Sequence, residues 1–425
     1  MSNPAVIVSC DSHVGPKLRE QLRPYCPHDY LDEFDRFAAN HEEAARAGQS
    51  DPGLAEVANR FAVHPNIVRG ADGHFDIEAR LRDMNNDGVA AEVIYHFSQN
   101  GEPLPFVFDL AGGLSALPAN MLELGKIGFE IYNDWLADYV STEPERHIGL
   151  AYLPMWDVDA AVRELLRTHA KGLRGVNFPP PSRAGHLEYN NPAWEPFWAA
   201  CEELNMALHT HASGAAPFDY FSGPGGADLL AYECGGWMAR RALWWLTHGL
   251  VFERHPMLRL VITEQYEGWW THTLREMDAV HERFGRIKLP QLPSEYARRN
   301  VLLGCSFLSS HLADEASRDG FAGNIMWGRD YPHIEGVWQH LGDPAAEPIT
   351  KLALRNTLHS VPAADRARMA GENAVRELGL DRAKLASVAA RIGAPSVDDL
   401  GVAPGLLPEV GERSNAFRGQ AGPRL

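Results

Sequence analysis

Cysteine is scarce in this 425-residue chain, which has only Cys10, Cys26, Cys201, Cys234 and Cys305. They are scattered, odd in number and never spaced as CxxC. That excludes a disulfide framework and a zinc knuckle, and fits a reducing compartment. Long apolar runs are also missing: nothing approaches about 18 uninterrupted apolar residues, so no transmembrane helix is expected. The opening MSNPAVIVSCDSH lacks a basic n-region and has only a short apolar run before Asp11, unlike a signal peptide or membrane anchor. Basic residues are outnumbered, 39 against 56 acidic, for a formal net charge of −17. Nucleic acid and anionic membrane both require a basic face, so neither is expected as a partner. An anionic small molecule stays open, because a bound divalent cation reverses the local field. The expectation is a cytoplasmic protein acting on a small molecule.

What is present is a large potential core: 45% hydrophobic residues with 22% charged. Short apolar runs recur, each followed by a helical pattern. They are AVIVSC from Ala5, AEVIYH from Ala91, HIGLAYL from His147, LRGVNF from Leu173, MALHTH from Met206, LRLVITE from Leu258, NVLLGC from Asn300 and NIMWGRD from Asn324. Between them lie amphipathic stretches such as DAAVRELLRTHAKG from Asp159. Buried parallel strands read as such runs, and this number of βα units predicts a TIM-type (β/α)₈ barrel over residues 1–382. Three connections, 14–90, 212–247 and 265–299, exceed ordinary βα loops and are expected to build the mouth of the site. GPGGADLL from Gly223 follows no strand and lacks GxxxxGK[ST], so it reads as a lid or turn. Residues 383–425 read as one more helix followed by an arm rich in Gly and Pro.

Metal-binding residue types collect at the C-terminal ends of these runs. The first ends in Asp11-Ser12-His13, the fifth in His209-Thr210-His211, the sixth in Glu264 and the last in Asp330. Side chains two apart on a strand share a face, so Asp11 pairs with His13 and His209 with His211. Barrel enzymes draw catalytic groups from these strand ends. Mixed imidazole and carboxylate ligands suit Zn²⁺, Mn²⁺ or Fe²⁺, as one ion or a bridged pair. Such an ion lowers the pKa of bound water to about 7, and Asp330 is best placed to shuttle its proton. His209 lies a layer deeper and reads as a hydrogen-bonded core residue. His248, His96 and Arg174 are weaker candidates for substrate contact. Arg329 should point out of the barrel if Asp330 points in. Trp244, Trp245, Trp269 and Trp270 read as core or interface residues.

Several segments, taken in order, resemble a known family. DSHVGP at Asp11, RLRDMNNDGVAAEV from Arg80–Leu81 onward and YNDWLADYVSTEPERHIGLAYLP from Tyr132 look like the amidohydrolase-2 branch of the amidohydrolase superfamily. So do HASG at His211, FERHPMLRLVITEQYEGW from Phe252, MWGRDYPHIEG from Met326 and GENA from Gly371. This is the branch related to aminocarboxymuconate-semialdehyde decarboxylase. The resemblance implies a homodimeric metal enzyme with Asp11, His13, His211 and Asp330 as ligands. It makes Asp330 the proton-transfer residue and His333 a contact beside the metal or substrate. Two departures stand out. Asp11 replaces the first His of the His-x-His found in many relatives, a change also seen as an acidic residue in aromatic decarboxylases. Glu264 stands where a strand-six His is usual, and its role is left open as ligand, base or substrate contact.

The leading expectation is hydrolysis of a small amide, ester or lactone by metal-activated water. The alternative is non-oxidative decarboxylation of an aromatic or unsaturated carboxylic acid at the same metal. A third is a catalytically silent barrel used for binding.

Overall fold

The runs read as strands do form the barrel wall. The structure is a computed structural model describing residues 3–49, 71–107, 121–180, 187–212, 237–265, 268–286, 288–333, 336–338 and 347–405. In chain order the strands are β1 (Val8–Ser9), β2 (His13–Val14), β3 (Ala91–His96), β4 (His147–Tyr152), β5 (Gly175–Asn177), β6 (Ala207–His211), β7 (Leu260–Thr263), β8 (Val301–Cys305) and β9 (Ile325–Trp327). All pairings are parallel, in the order β1-β3-β4-β5-β6-β7-β8-β9, with β2 also on β3. β1 and β2 are one barrel position split at residues 10–12, so the wall has the eight positions expected of a TIM-type barrel. The ends of the sheet meet where Cys10 N–H donates to the Trp327 carbonyl at 2.8 Å and Asp330 N–H to the Asp11 carbonyl at 3.0 Å.

Alternation along the strands separates two cores. Val8, Val93, Tyr95, Leu150, Ala207, Val261, Leu302 and Met326 pack together inside the barrel. Ile7, Ile94, Ala151, Leu208, Ile262, Leu303 and Ile325 pack outward against the helices. Those helices include Ile77–Asp87, Leu122–Val140, Val158–Ala170, Glu195–Glu203, Trp270–Phe284 and Ser310–Arg318. Local chemistry sets their ends: Asp76 caps the first of them through the Ala79 N–H, and Gly88 ends it at φ 72°. Asp157 caps Val158–Ala170 in the same way.

The helix Arg382–Arg391 carries Leu385 and Ala389 into the same cluster as the barrel interior, with Val375, Leu378 and Leu380. The tail read as a helix plus arm therefore begins by sealing the N-terminal end of the barrel. Its arm beyond 405 lies outside the described residues, as do 213–236, the GPGGADLL segment and Cys234. No helix among the described residues is long and apolar enough to cross a membrane.

Candidate metal centre and active site

The barrel's C-terminal mouth gathers its buried acids and histidines at one point. Asp11 sits in the break between β1 and β2, fully buried, and Gly328 makes room for it: a Cβ there would stand 2.9 Å from the Asp11 Cβ. Asp11 Oδ1 lies 3.1 Å from His13 Nε2 and 3.3 Å from His211 Nε2, while Ser306 Oγ–H donates to Oδ2. Asp330 Oδ1 lies 3.3 Å from His13 Nε2 and 2.9 Å from His333 Nδ1. The His13 and His333 rings stack with centroids 3.9 Å apart. Ligand atoms of Asp11, His13 and His211 lie within 4.8 Å of one another, and so do those of His13, Asp330 and His333.

Main-chain carbonyls fix which nitrogen each imidazole turns to the cluster. His13 Nδ1 donates to the His96 carbonyl at 2.8 Å, His211 Nδ1 to the Ala212 carbonyl at 2.7 Å, and His333 Nε2 to the Phe97 carbonyl at 2.7 Å. The opposite nitrogens then face Asp11 and Asp330. This is the arrangement in which a carbonyl behind an imidazole orients it for a metal. Both Asp330 oxygens and His13 Nε2 are buried, and none makes a hydrogen bond within the described structure. Buried polar atoms normally find partners, so orphans aimed at one another fit a cation between them. The donor set, neutral imidazole nitrogen with carboxylate oxygen, suits a borderline or hard divalent ion.

Electrostatics agree. Burial alone would lower His211, but the Asp11 and Glu264 carboxylates outweigh it and raise the ring to about 9. Burial alone would raise Asp11, yet His211 and His13 hold it well below the usual carboxylate range. The pocket is thus electronegative enough to draw a proton onto an imidazole.

Glu264 and Asp330 share a backbone feature that sequence did not signal. Both are non-glycine residues with positive φ, 57° and 53°. Such conformations cost roughly 1–3 kcal/mol and collect at functional sites. At Glu264 the turn breaks strand alternation and places Oε2 3.4 Å from His211 Nδ1, on the far side of that ring from Asp11. Glu264 belongs to neither group of potential ligands found among the described residues.

The remaining candidates separate cleanly. His209 is fully buried beneath His211, where burial pushes it down to about 3, and Tyr95 Oη lies 3.3 Å from its Nδ1. Tyr95 Oη also lies 2.9 Å from Thr263 Oγ1, and its ring packs on His211 at 4.8 Å. His209, Tyr95 and Thr263 make the floor of the site. His96 reaches the site through its carbonyl; its ring lies between Tyr132 and Tyr152, and burial pushes it down to about 3. His248 stands 6.5 Å from His281 at the end of helix Arg241–His248, outside the cluster. Arg174 is a correction: it precedes β5, at the barrel's N-terminal end, and donates to the Gly379 carbonyl at 3.0 Å. A side chain at that end cannot reach the mouth. Arg329 points out of the barrel to Asp87 and Glu92 as alternation required. Ser306 and Tyr95 were not singled out in the sequence. Ser306 follows β8 directly, and Tyr95 falls on the inward parity of Val93; both signals were there to be read.

Comparison with known proteins accords with this fold. The amidohydrolase family model matches residues 63–380. The gamma-resorcylate decarboxylase of Rhizobium sp. (strain MTP-10005) is 28% identical over 266 residues, 59% of this chain and 76% of that protein. The 2-amino-3-carboxymuconate-6-semialdehyde decarboxylase of Dictyostelium discoideum is 29% identical over 154 residues, covering 36% of this chain and 38% of the relative. The chain spans less than two thirds of the length of several curated relatives it matches. Among solved structures, the dihydroxybenzoic acid decarboxylase of Polaromonas sp. JS666, with bound manganese and the inhibitor 2-nitroresorcinol, superposes with a TM-score of 0.58 at 20% identity. That match covers 90% of this chain and 99% of the other. The family match covers well over half of the chain, and with the barrel and the in-order motifs it establishes that the chain belongs to the amidohydrolase family, in the branch that includes these decarboxylases.

Proposed function

We propose that the protein is a divalent-metal-dependent decarboxylase of an aromatic carboxylic acid carrying a hydroxyl beside the carboxylate. The hydrolytic reading ranked first on sequence gives way to its rival. The observation that carries the proposal is the pair of buried acids, Asp11 and Asp330, converging on His13 in a chain whose curated relatives include gamma-resorcylate decarboxylases. Asp11, His13, His211 and Asp330 would hold the ion, which when bound acts as a Lewis acid on the substrate's carboxylate and neighbouring hydroxyl.

The residues of the chain do the rest. His333, stacked on His13 and bonded to the Phe97 carbonyl, keeps the Asp330 carboxyl aimed at the pocket. Asp330 carries a proton to the ring carbon as its bond to the carboxylate breaks. The electron pair of that bond becomes the new C–H bond, CO₂ leaves, and solvent returns the proton to Asp330. Glu264 pairs with His211 and orients it, a role in place of the strand-six histidine that needs no direct ligation. The Tyr95–Thr263–His209 floor closes the pocket to water from below.

The test is a substrate panel with Mn²⁺-loaded protein in H₂¹⁸O. Ortho-hydroxybenzoates should release CO₂ with no ¹⁸O in the phenolic product. Cleavage of amides, esters or lactones with ¹⁸O incorporation, and no CO₂ from any carboxylate, would restore the hydrolytic reading.

A further inference from the structure

We infer that Glu92, behind the barrel wall, is a positioning residue that fixes the cation ligands His13 and Asp330 relative to each other. The inference rests on the cation site proposed above, but it concerns residues that touch neither ion nor substrate.

Glu92 lies on β3 with its side chain turned outward, fully buried beneath helix Ile77–Asp87. Its Oε1 accepts from Arg80 Nε, and its Oε2 accepts from Arg329 Nη2 at 2.9 Å. Arg80 then donates through Nη1 to the His13 carbonyl at 2.7 Å and the Gly73 carbonyl at 3.0 Å. Arg329 precedes Asp330 in the chain, donates from its main-chain N–H to Ser9 Oγ at 3.0 Å, and donates through Nη1 to Asp87 Oδ2 at 2.6 Å. One carboxylate thus ties the backbone of the first strand, at His13, to that of the last, beside Asp330. It does so at the seam where the barrel closes and where the first strand is interrupted at residues 10–12.

Arg80, Glu92, Arg329 and Asp87 are all buried. Burial alone would raise the Glu92 carboxyl, but Arg80, the neighbouring His147 ring and Arg329 keep it well below its ordinary value. Stability does not explain the choice, because a buried ion network is often matched or bettered by apolar residues of similar volume. Directional reach does. A planar guanidinium can grip a carboxylate and a main-chain carbonyl at once, which no apolar side chain can. Groups behind the ligands of a metal typically govern its affinity by about 10–100-fold.

The experiment is Mn²⁺ affinity, read by competition with a fluorescent chelator, on Glu92→Gln protein shown by circular dichroism to be folded. The expected result is binding about 10–100-fold weaker than wild type. Asn300→Ala is the control: Asn300 Nδ2 holds the Pro256 and Leu258 carbonyls at the other end of the barrel. It should lower the thermal midpoint and leave Mn²⁺ affinity as in wild type. If Glu92→Gln does not fold, Arg80→Lys, which keeps the charge and loses the fork, is read the same way. A folded variant that binds Mn²⁺ as wild type does would overturn the inference while leaving the cation site standing. Wild-type protein that binds no Mn²⁺ would instead overturn the functional reading, and this inference with it.

Discussion

The two ends of this barrel are built from the same strands with opposite chemistry. At the N-terminal end, Val6, Val8, Ala207, Val261 and Leu302 meet Val375, Leu378 and Leu385 in an apolar plug. At the C-terminal end, the same strands finish in Asp11, His13, His211 and Asp330, with orphaned polar atoms facing one another. One end is stabilised by burial; the other holds buried polar atoms without hydrogen bonds, which a cation would satisfy. The division teaches that position along a strand, more than residue type, decides what a residue does here. Arg174 is the clearest case. A guanidinium at the wrong end of β5 is a bond to a carbonyl and nothing more.

The sharpest way to break this contrast is at the mouth. Asp330→Asn keeps the shape and removes the proton carrier, so kcat should fall about 10²–10⁴-fold, with thermal stability retained or raised. Steady-state CO₂ release checks it; unchanged kcat would remove Asp330 from its role. At the plug the effect should reverse in kind. Leu385→Ala, fully buried, should cost about 2–5 kcal/mol of stability in denaturant unfolding while the folded protein keeps its metal affinity and kcat.

A third outcome concerns pH. His211 stands at about 9 in the cluster, above the roughly 6.5 of an unfolded histidine. A raised folded-state value means that its stabilising contribution is present in full below about 6.5 and is lost as pH rises through about 9. Chelator-treated protein should therefore lose thermal midpoint over that window more than His211→Asn protein does. Mn²⁺ should bind more tightly as pH rises toward about 9, since the ion displaces the proton. A flat affinity between pH 6.5 and 9 would show that His211 is not a ligand. The smallest effect is expected at Arg174→Ala: about 1 kcal/mol or less in stability, with kcat/KM unchanged. A large loss of kcat/KM there would reopen its placement.

Much of this was legible before any coordinates, for a physical reason. Buried parallel strands need continuous apolar runs, and polar residues that close such runs stand out against them, so the convergence of Asp11, His13, His211 and Asp330 could be read in one dimension. Parity also foretold that Arg329 faces outward, and applied to Val93 and Tyr95 it turns the His96 ring out as well. What stayed hidden depends on backbone turns and on partners far apart in sequence. The positive φ at Glu264 sets its side chain beside His211, and no residue type announces that. Arg80, Glu92 and Arg329 meet only because the first and last strands close on each other. Hydrolysis and decarboxylation stayed close on sequence because both readings use the same residues; it is the relatives, not the motif, that favour the second.

The most direct test of the central claim is elemental analysis of purified, tag-free protein, wild type against Asp11→Ala/His211→Ala. The account requires about one divalent ion per chain in wild type and its loss in the double variant. Wild-type protein that holds no ion even after anaerobic reconstitution with Mn²⁺ or Zn²⁺ would contradict it.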